Sequence, residues 1–243
     1  MNESSARSMG KDHQPKHRQV ARVLTRRAAV RQPYDRLLIV CEGEKTEPRY
    51  LQAIQREYRL STAHVQVLAS HYGTAPMQVV EYAERIFRQG DRDRGIQAGA
   101  FDRIMAVFDR DDHPTYHAAL AKADALNGKL SNDDGMQIPF EVIASVPCFE
   151  LWLLLHYEDV QASLSPREAV DRLWGHLPSY QKGQGDHWAV TKNRLEAAIV
   201  RAIRLAASTT AYDGTEPYTA MHELVLRLVH LKDCHPLRGK ANG

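Results

Sequence analysis

Apolar positions along the chain fall into uninterrupted runs and helically spaced sets that alternate. Leu37-Leu38-Ile39-Val40 is apolar without a break, the pattern of a strand buried on both faces of a parallel sheet. The run stops at Cys41-Glu42-Gly43-Glu44-Lys45-Thr46-Glu47-Pro48 and restarts as a predicted helix, with Thr46 as cap, Glu47 at the positive helix end and Pro48 in the first turn. Tyr50, Leu51, Ile54 and Tyr58 give that helix one apolar face. Residues 64–70 alternate through Val65, Val67 and Ala69 as a second strand, and 75–89 returns to helix. Ile104-Met105-Ala106-Val107-Phe108 predicts a third buried strand, followed by a helix over 115–130. Residues 127–135 read as a polar loop, 140–146 as a fourth strand, and Pro147 opens another helix. Beyond Ser165 the strand signals stop: 186–207 and 216–231 predict helices, and 178–188 an exposed loop.

Strand alternating with helix over 34–157 predicts an α/β domain with a mostly parallel sheet and helices on both faces. The predicted organisation is a basic, flexible arm at 1–33, the α/β domain at 34–160, and a helical carboxyl-terminal region at 161–243 packed on it as an appendage. Net charge is only +2 over 243 residues, so affinity for nucleic acid would have to come from a local patch. The arm is one such patch: Arg18, Arg22, Arg26 and Arg27 stand among few acids, and contacts from them to phosphates would make binding salt-dependent. A plain solvated tail is the competing reading. Cys41, Cys148 and Cys234 are odd in number and far apart, which argues against a disulfide frame or a CxxC zinc site and predicts a reduced, cytoplasmic protein. No apolar run approaches the roughly 20 residues of a membrane helix.

Candidate chemistry gathers where predicted parallel strands end, the usual place for ligands in open α/β sheets. Asp109 and Asp111, two apart after the third strand, would present carboxylates to one point if the segment stays extended. With Glu42 from the neighbouring strand end they suit Mg²⁺, with Mn²⁺ as the alternative, since both ions take oxygen ligands. The competing reading is a turn in which Asp and His113 cap the next helix. Glu150 opens a helix that is apolar almost all round, so its carboxylate needs a metal, another cation or a hydrogen-bond donor, unless it serves only the helix dipole. Lys45, just after the acids, would contact phosphate or the leaving oxygen, or be a solvated helix-start lysine; Lys182 would add a phosphate contact. His156 reads as a core histidine rather than a ligand, and Cys148 as a small buried residue. The Gly43-Glu44-Lys45-Thr46 run lacks the spacing of a phosphate-binding loop, and no nucleophile elbow surrounds Ser145 or Cys148.

Three motifs together, Leu-Ile-Val-Cys-Glu-Gly-Glu-Lys-Thr-Glu-Pro-Arg-Tyr at 38–50, Phe-Asp-Arg-Asp-Asp-His at 108–113 and Ser-Val-Pro-Cys-Phe-Glu-Leu-Trp-Leu-Leu-Leu-His at 145–156, closely resemble the RloB-like family. The resemblance spans roughly residues 34–230, including Tyr180-Gln181-Lys182-Gly183 and Tyr218-Thr219-Ala220. It implies a TOPRIM-like fold, the metal-binding α/β fold of topoisomerases, primases and OLD-type nucleases, in a bacterial restriction or phage-defence setting, often beside an ATPase. It maps the fold's glutamate onto Glu42 with Gly43 behind it, the DxD pair onto Asp109 and Asp111, and the third motif's acid onto Glu150, for which a second-metal or structural role is an extension. The activity implied is a Mg²⁺-dependent nuclease acting on DNA or RNA, tRNA included, with Glu42, Asp109, Asp111, Glu150 and Lys45 as its machinery. The alternative is a non-cleaving regulatory partner of a defence ATPase. Homo-oligomerisation is compatible with either.

Overall fold

The computed structural model describes residues 34–111, 113–214 and 217–233; the arm, and with it Arg18, Arg22, Arg26 and Arg27, lies outside the described residues. In chain order the strands among them are β1 (Leu37–Cys41), β2 (Val65–Ala69), β3 (Arg103–Asp109), β4 (Leu130–Ser131), β5 (Gln137–Ile138), β6 (Phe140–Val146) and β7 (Tyr218–Thr219). Five of them form one sheet in the order β2-β1-β3-β6-β7. All pairings in it are parallel except that of β7, which runs antiparallel to β6. This is a mixed α/β architecture with a mostly parallel sheet flanked by helices, consistent with a Rossmann-like or TOPRIM-like fold.

The unbroken apolar run of β1 is explained by the pleat. Leu37, Ile39 and Cys41 enter one core with α1 (Thr46–Glu57), while Leu38 and Val40 enter the other with α2 (Pro76–Gln89) and α3 (Tyr116–Leu126). Each β1 residue is fully buried, worth roughly 1.5–3 kcal/mol per large side chain. β3 divides the same way, Met105 and Val107 facing α1 and Ile104, Ala106 and Phe108 facing α2 and α3. The α1 side also carries α4 (Glu150–Leu154), α5 (Pro166–His176), α6 (His187–Thr191), α7 (Leu195–Ala206) and α8 (Met221–Val229).

Several predicted boundaries shift. The α1 cap position is Lys45, one residue before Thr46, and no side chain caps it. α3 ends at Leu126, because Leu130 pairs with Ile138 in a short hairpin inside the predicted polar loop. α5 was not anticipated, although Ser165 and Glu168 form a reciprocal capping box at its start. The predicted helix over 186–207 is divided: Thr191 Oγ1 donates to the His187 carbonyl at 2.7 Å, and a 3-10 turn at Lys192–Arg194 separates α6 from α7. The predicted exposed loop buries both Tyr180 and Trp188. Their polar atoms are satisfied by acids, Tyr180 Oη donating to Glu150 at 2.6 Å and Trp188 Nε1 to Glu57 at 2.7 Å. No helix among the described residues is long and apolar enough to cross a membrane.

Candidate metal centre

Glu42 lies one residue beyond β1, and its N–H donates to the Val107 carbonyl at 2.9 Å, continuing the ladder past the strand end. Its Oε2 accepts from the Asp109 backbone N–H at 2.9 Å, so the backbone of β3 fixes the carboxylate of β1. Asp109 is the last residue of β3, and Asp111 is held by a bond from its N–H to the Pro147 carbonyl at 3.2 Å. The extended geometry expected for the DxD pair stops at Asp109, because Asp111 has φ +36°, in the left-handed region. Aspartate tolerates that region better than most residues, and strain of this sort clusters at functional sites. The turn brings in His113, whose Nε2 is 3.6 Å from Glu42 Oε1. One ligand atom from each of Glu42, Asp111 and His113 falls within 4.8 Å of the others.

Asp109 stands behind that trio. Strand alternation puts it on the α1 face, where the first turns of α1 and α4 contribute Glu47 and Glu150, all three carboxyl groups being buried. Burial, reinforced by Glu47, Glu42 and Glu150, pushes the Asp109 carboxyl well above the usual range. Burial also pushes Glu42 up to about 7, against the stabilising Asp109 amide, with Asp111 and Glu47 adding repulsion. Glu47 is raised by burial first and then by Glu150 and Asp111. Five acids therefore crowd a site in which the cation beside Glu150 is Lys182, 3.8 Å from Glu150 Oε1. Burial works against the charge of Lys182, but Glu150 and Asp109 outweigh it and hold the ammonium above its ordinary value.

Glu42, Asp109, Asp111, Lys45 and Lys182 all line one cleft of about 440 Å³, together with Glu47 and His113. Glu150 sits beneath it, 1 % exposed, tied to Tyr180 and Lys182 rather than opening into the cleft. The segment carrying Lys182 is clamped to α1: Arg49 Nη1 donates to the Gly183 carbonyl, and Gly183 has φ +73°, with a Cβ there pressed to 3.1 Å from the Lys45 Cβ. A Cβ at Gly43 would displace the Glu47 carboxylate from its place beside the cleft. Ser145, Cys148 and His156 belong to the packing. Ser145 Oγ pairs with Thr219 Oγ1 at 3.1 Å, burial pushes the Cys148 thiol up, and His156 Nδ1 meets the Trp152 carbonyl at 2.9 Å.

A family model for RloB-like proteins matches residues 37–228, which takes in every element from β1 to α8 except the last residue of α8. The chain belongs to the RloB-like family. No curated protein and no solved structure gives a significant match. Within this RloB-like chain, sequence reasoning placed Glu42 and Asp111 in the candidate ligand set but passed over three groups. The sequence assigns Glu47 to the helix dipole and Tyr180 to an exposed loop, and offers His113 only as a cap in the competing reading of its segment. The signal for Glu47 was its position as the third acid in Glu-Gly-Glu-Lys-Thr-Glu, on the same helical start that places Lys45 at the cleft.

Proposed function

We propose that this RloB-like protein is a metal-dependent nuclease, hydrolysing phosphodiester bonds of DNA or RNA, tRNA included, in a bacterial antiphage or restriction-associated system. The observation that carries the reading is the convergence of Glu42, Asp109, Asp111 and His113 on one cleft at the carboxyl ends of adjacent parallel strands, with Lys182 across it. Crowded, buried carboxylates with raised proton affinity are what a divalent cation would relieve. Glu42, Asp111 and His113 would hold the ion. When bound, it supplies Lewis-acid stabilisation of charge on a phosphoryl group and lowers the pKa of a water molecule. His113 adds a nitrogen to what sequence suggested was an all-oxygen set, which favours Mn²⁺ relative to Mg²⁺ more than oxygen ligands alone would.

The remaining residues act through charge and position. The Asp109 amide orients Glu42, and Glu150, itself held by the Tyr180 hydroxyl, anchors Lys182 at the rim. Lys182 and Lys45 are the cationic groups in reach of a phosphate entering the cleft. This makes Glu150 a positioning residue for Lys182 rather than a metal ligand. The resemblance of the three motifs supports a place beside a defence ATPase in the cytoplasm.

The test is cleavage of labelled plasmid, single-stranded DNA and total tRNA with Mg²⁺, Mn²⁺ or EDTA, comparing the wild type with Glu42→Ala and Asp109→Ala. Metal-dependent cutting should fall roughly a hundredfold or more in both folded variants. Absence of cutting with every substrate, alone and with a cognate ATPase added, would leave the non-cleaving regulatory reading.

A further inference from the structure

The outer side of α7 carries apolar side chains that the fold itself does not cover. Ala198, Ala202 and Leu205 pack into the core, whereas Val200 is 51 % exposed and Ile203 50 %. At 3.6 residues per turn, Glu196, Ala197, Ile203 and Arg204 all lie within about 60° of Val200 around the helix, and each of them is exposed. A helix with apolar side chains on two faces has a second surface to bury. Beside this face runs a groove of about 500 Å³, lined by Asp159, Glu196, Ala197, Val200, Arg201 and Arg204. Its two arginines are held in place: Arg201 Nη1 donates to the Leu155 carbonyl and Arg204 Nη1 to Asp159, both at 2.6 Å. Arg204 stays more than half exposed, and its guanidinium has further donors to offer.

The charges decide what covers the face. Glu196 stands four residues before Val200 and Arg204 four after, each at the helix end whose dipole it suits. The dipole accounts for the two signs but not for the half-exposed aliphatic side chains between them. Together they are self-complementary. An antiparallel copy of α7, related by a two-fold axis beside Val200, brings Val200 against Val200 and sets Glu196 of each copy level with Arg204 of the other. Ala197 falls at the same level, and its short side chain leaves room for the long ones to cross. A polyanion would instead meet Glu196 and Asp159 in the groove. We propose that this face of α7 is the interface of a homodimer, in which the two copies of the helix pack antiparallel. None of Glu196, Ala197, Val200, Ile203 and Arg204 lines the acid cleft, so the inference stands apart from the nuclease reading. A single helix pair lies at the small end of specific interfaces, below roughly 1,200 Å² in total, so a reversible dimer in the micromolar range is expected.

The test is sedimentation equilibrium of the full chain in EDTA over about 1–200 µM, a range that brackets micromolar dissociation constants. The wild type should show a reversible monomer–dimer equilibrium. Val200→Glu, which sets two carboxylates against each other across the axis, should weaken it roughly tenfold or more. Glu196→Arg and Arg204→Glu should each weaken it as well, because like charges then face each other. All three positions are exposed, and circular dichroism melts check that the variants are folded. Mixing Glu196→Arg with Arg204→Glu in equal amounts should restore association, since every reversed charge then faces an opposite one. Loss in each variant with recovery in the mixture is the signature of Glu196 facing Arg204 across the interface. A wild type that stays monomeric to the highest concentration, a dimer unchanged by Val200→Glu, or a mixture that associates no better than either variant alone would overturn the proposal.

Discussion

Asp109 is opposed by every acid packed around it at the candidate centre. The residue is 8 % exposed, and the charge of its carboxyl is opposed first by burial and then by Glu47, Glu42 and Glu150. Asparagine has nearly the same shape without the charge. Asp109→Asn should therefore be more stable than the wild type in EDTA by about 1–2 kcal/mol, as is common when a crowded functional acid is removed, while cleavage is lost. Thermal melts with and without Mn²⁺ check both sides: the wild type should gain stability with the ion by mass action and the variant should gain less. His156 makes a separate prediction away from the acids. Burial pulls its pKa down to about 4 from an ordinary 6.5, so the folded state keeps it neutral where the unfolded chain takes up a proton. Stability from this group is complete above about pH 6.5 and falls as pH drops toward 4, with a loss on the order of 3 kcal/mol. Replacing it by Gln should flatten that limb of a stability profile measured by urea denaturation, whatever the offset at neutral pH.

At the scale of elements, the site depends on a loop pinned to a helix. Residues 181–184 close on themselves through the Gln181–Gln184 bridge and are tied to α1 by Arg49, while Tyr180, at the loop's start, reaches the first residue of α4. Tyr180→Phe keeps the ring and removes the hydroxyl that donates to buried Glu150. Leaving a buried acceptor without its donor costs about 1–3 kcal/mol, and a loss in that range is expected on denaturation. Because Lys182 then loses its fixed partner, substrate affinity should weaken more than turnover, and a KM-against-kcat comparison would show it. The parallel strands and their ends were legible because full burial on two faces demands continuous apolar runs, and acids directly after such runs have few structural uses. Glu42 and Asp109 stand out in the sequence for that reason, and the structure brings both to one cleft. The loop was misread for a reason of the same kind: Gly, Gln and Lys around Tyr180 look solvated, and only a carboxylate 30 residues away in sequence turns the tyrosine inward. His113 escaped because alternation assumed an extended chain, whereas Asp111 adopts a left-handed turn.

Over the whole molecule, the division into an α/β domain and a helical appendage meets a specific difficulty in the last sheet strand. β7 comes from the carboxyl-terminal region, pairs Thr219 with Ser145 and Tyr218 with Val146, and is followed by an Ala220 N–H that donates to the Ala144 carbonyl at 3.0 Å. Immediately after it, Met221, Leu224, Val225 and Leu228 of α8 are fully buried in the same core as β1, α1 and α4. A chain ending at residue 160 would leave β6 as an exposed edge and strip the covering from one face of the central strand. At about 25 cal/mol per Å² of apolar surface, four such side chains alone represent several kcal/mol, comparable with the whole stability of a typical domain. Residues 34–160 are thus expected not to fold when expressed alone, and residues 34–233 are expected to melt in one transition by circular dichroism and near-ultraviolet absorbance together. A folded, cooperative 34–160 fragment would instead establish a true domain boundary there. It would also separate the acids from Tyr180 and Lys182, so metal binding by that fragment would show whether the strand ends suffice without the clamp that holds the lysine.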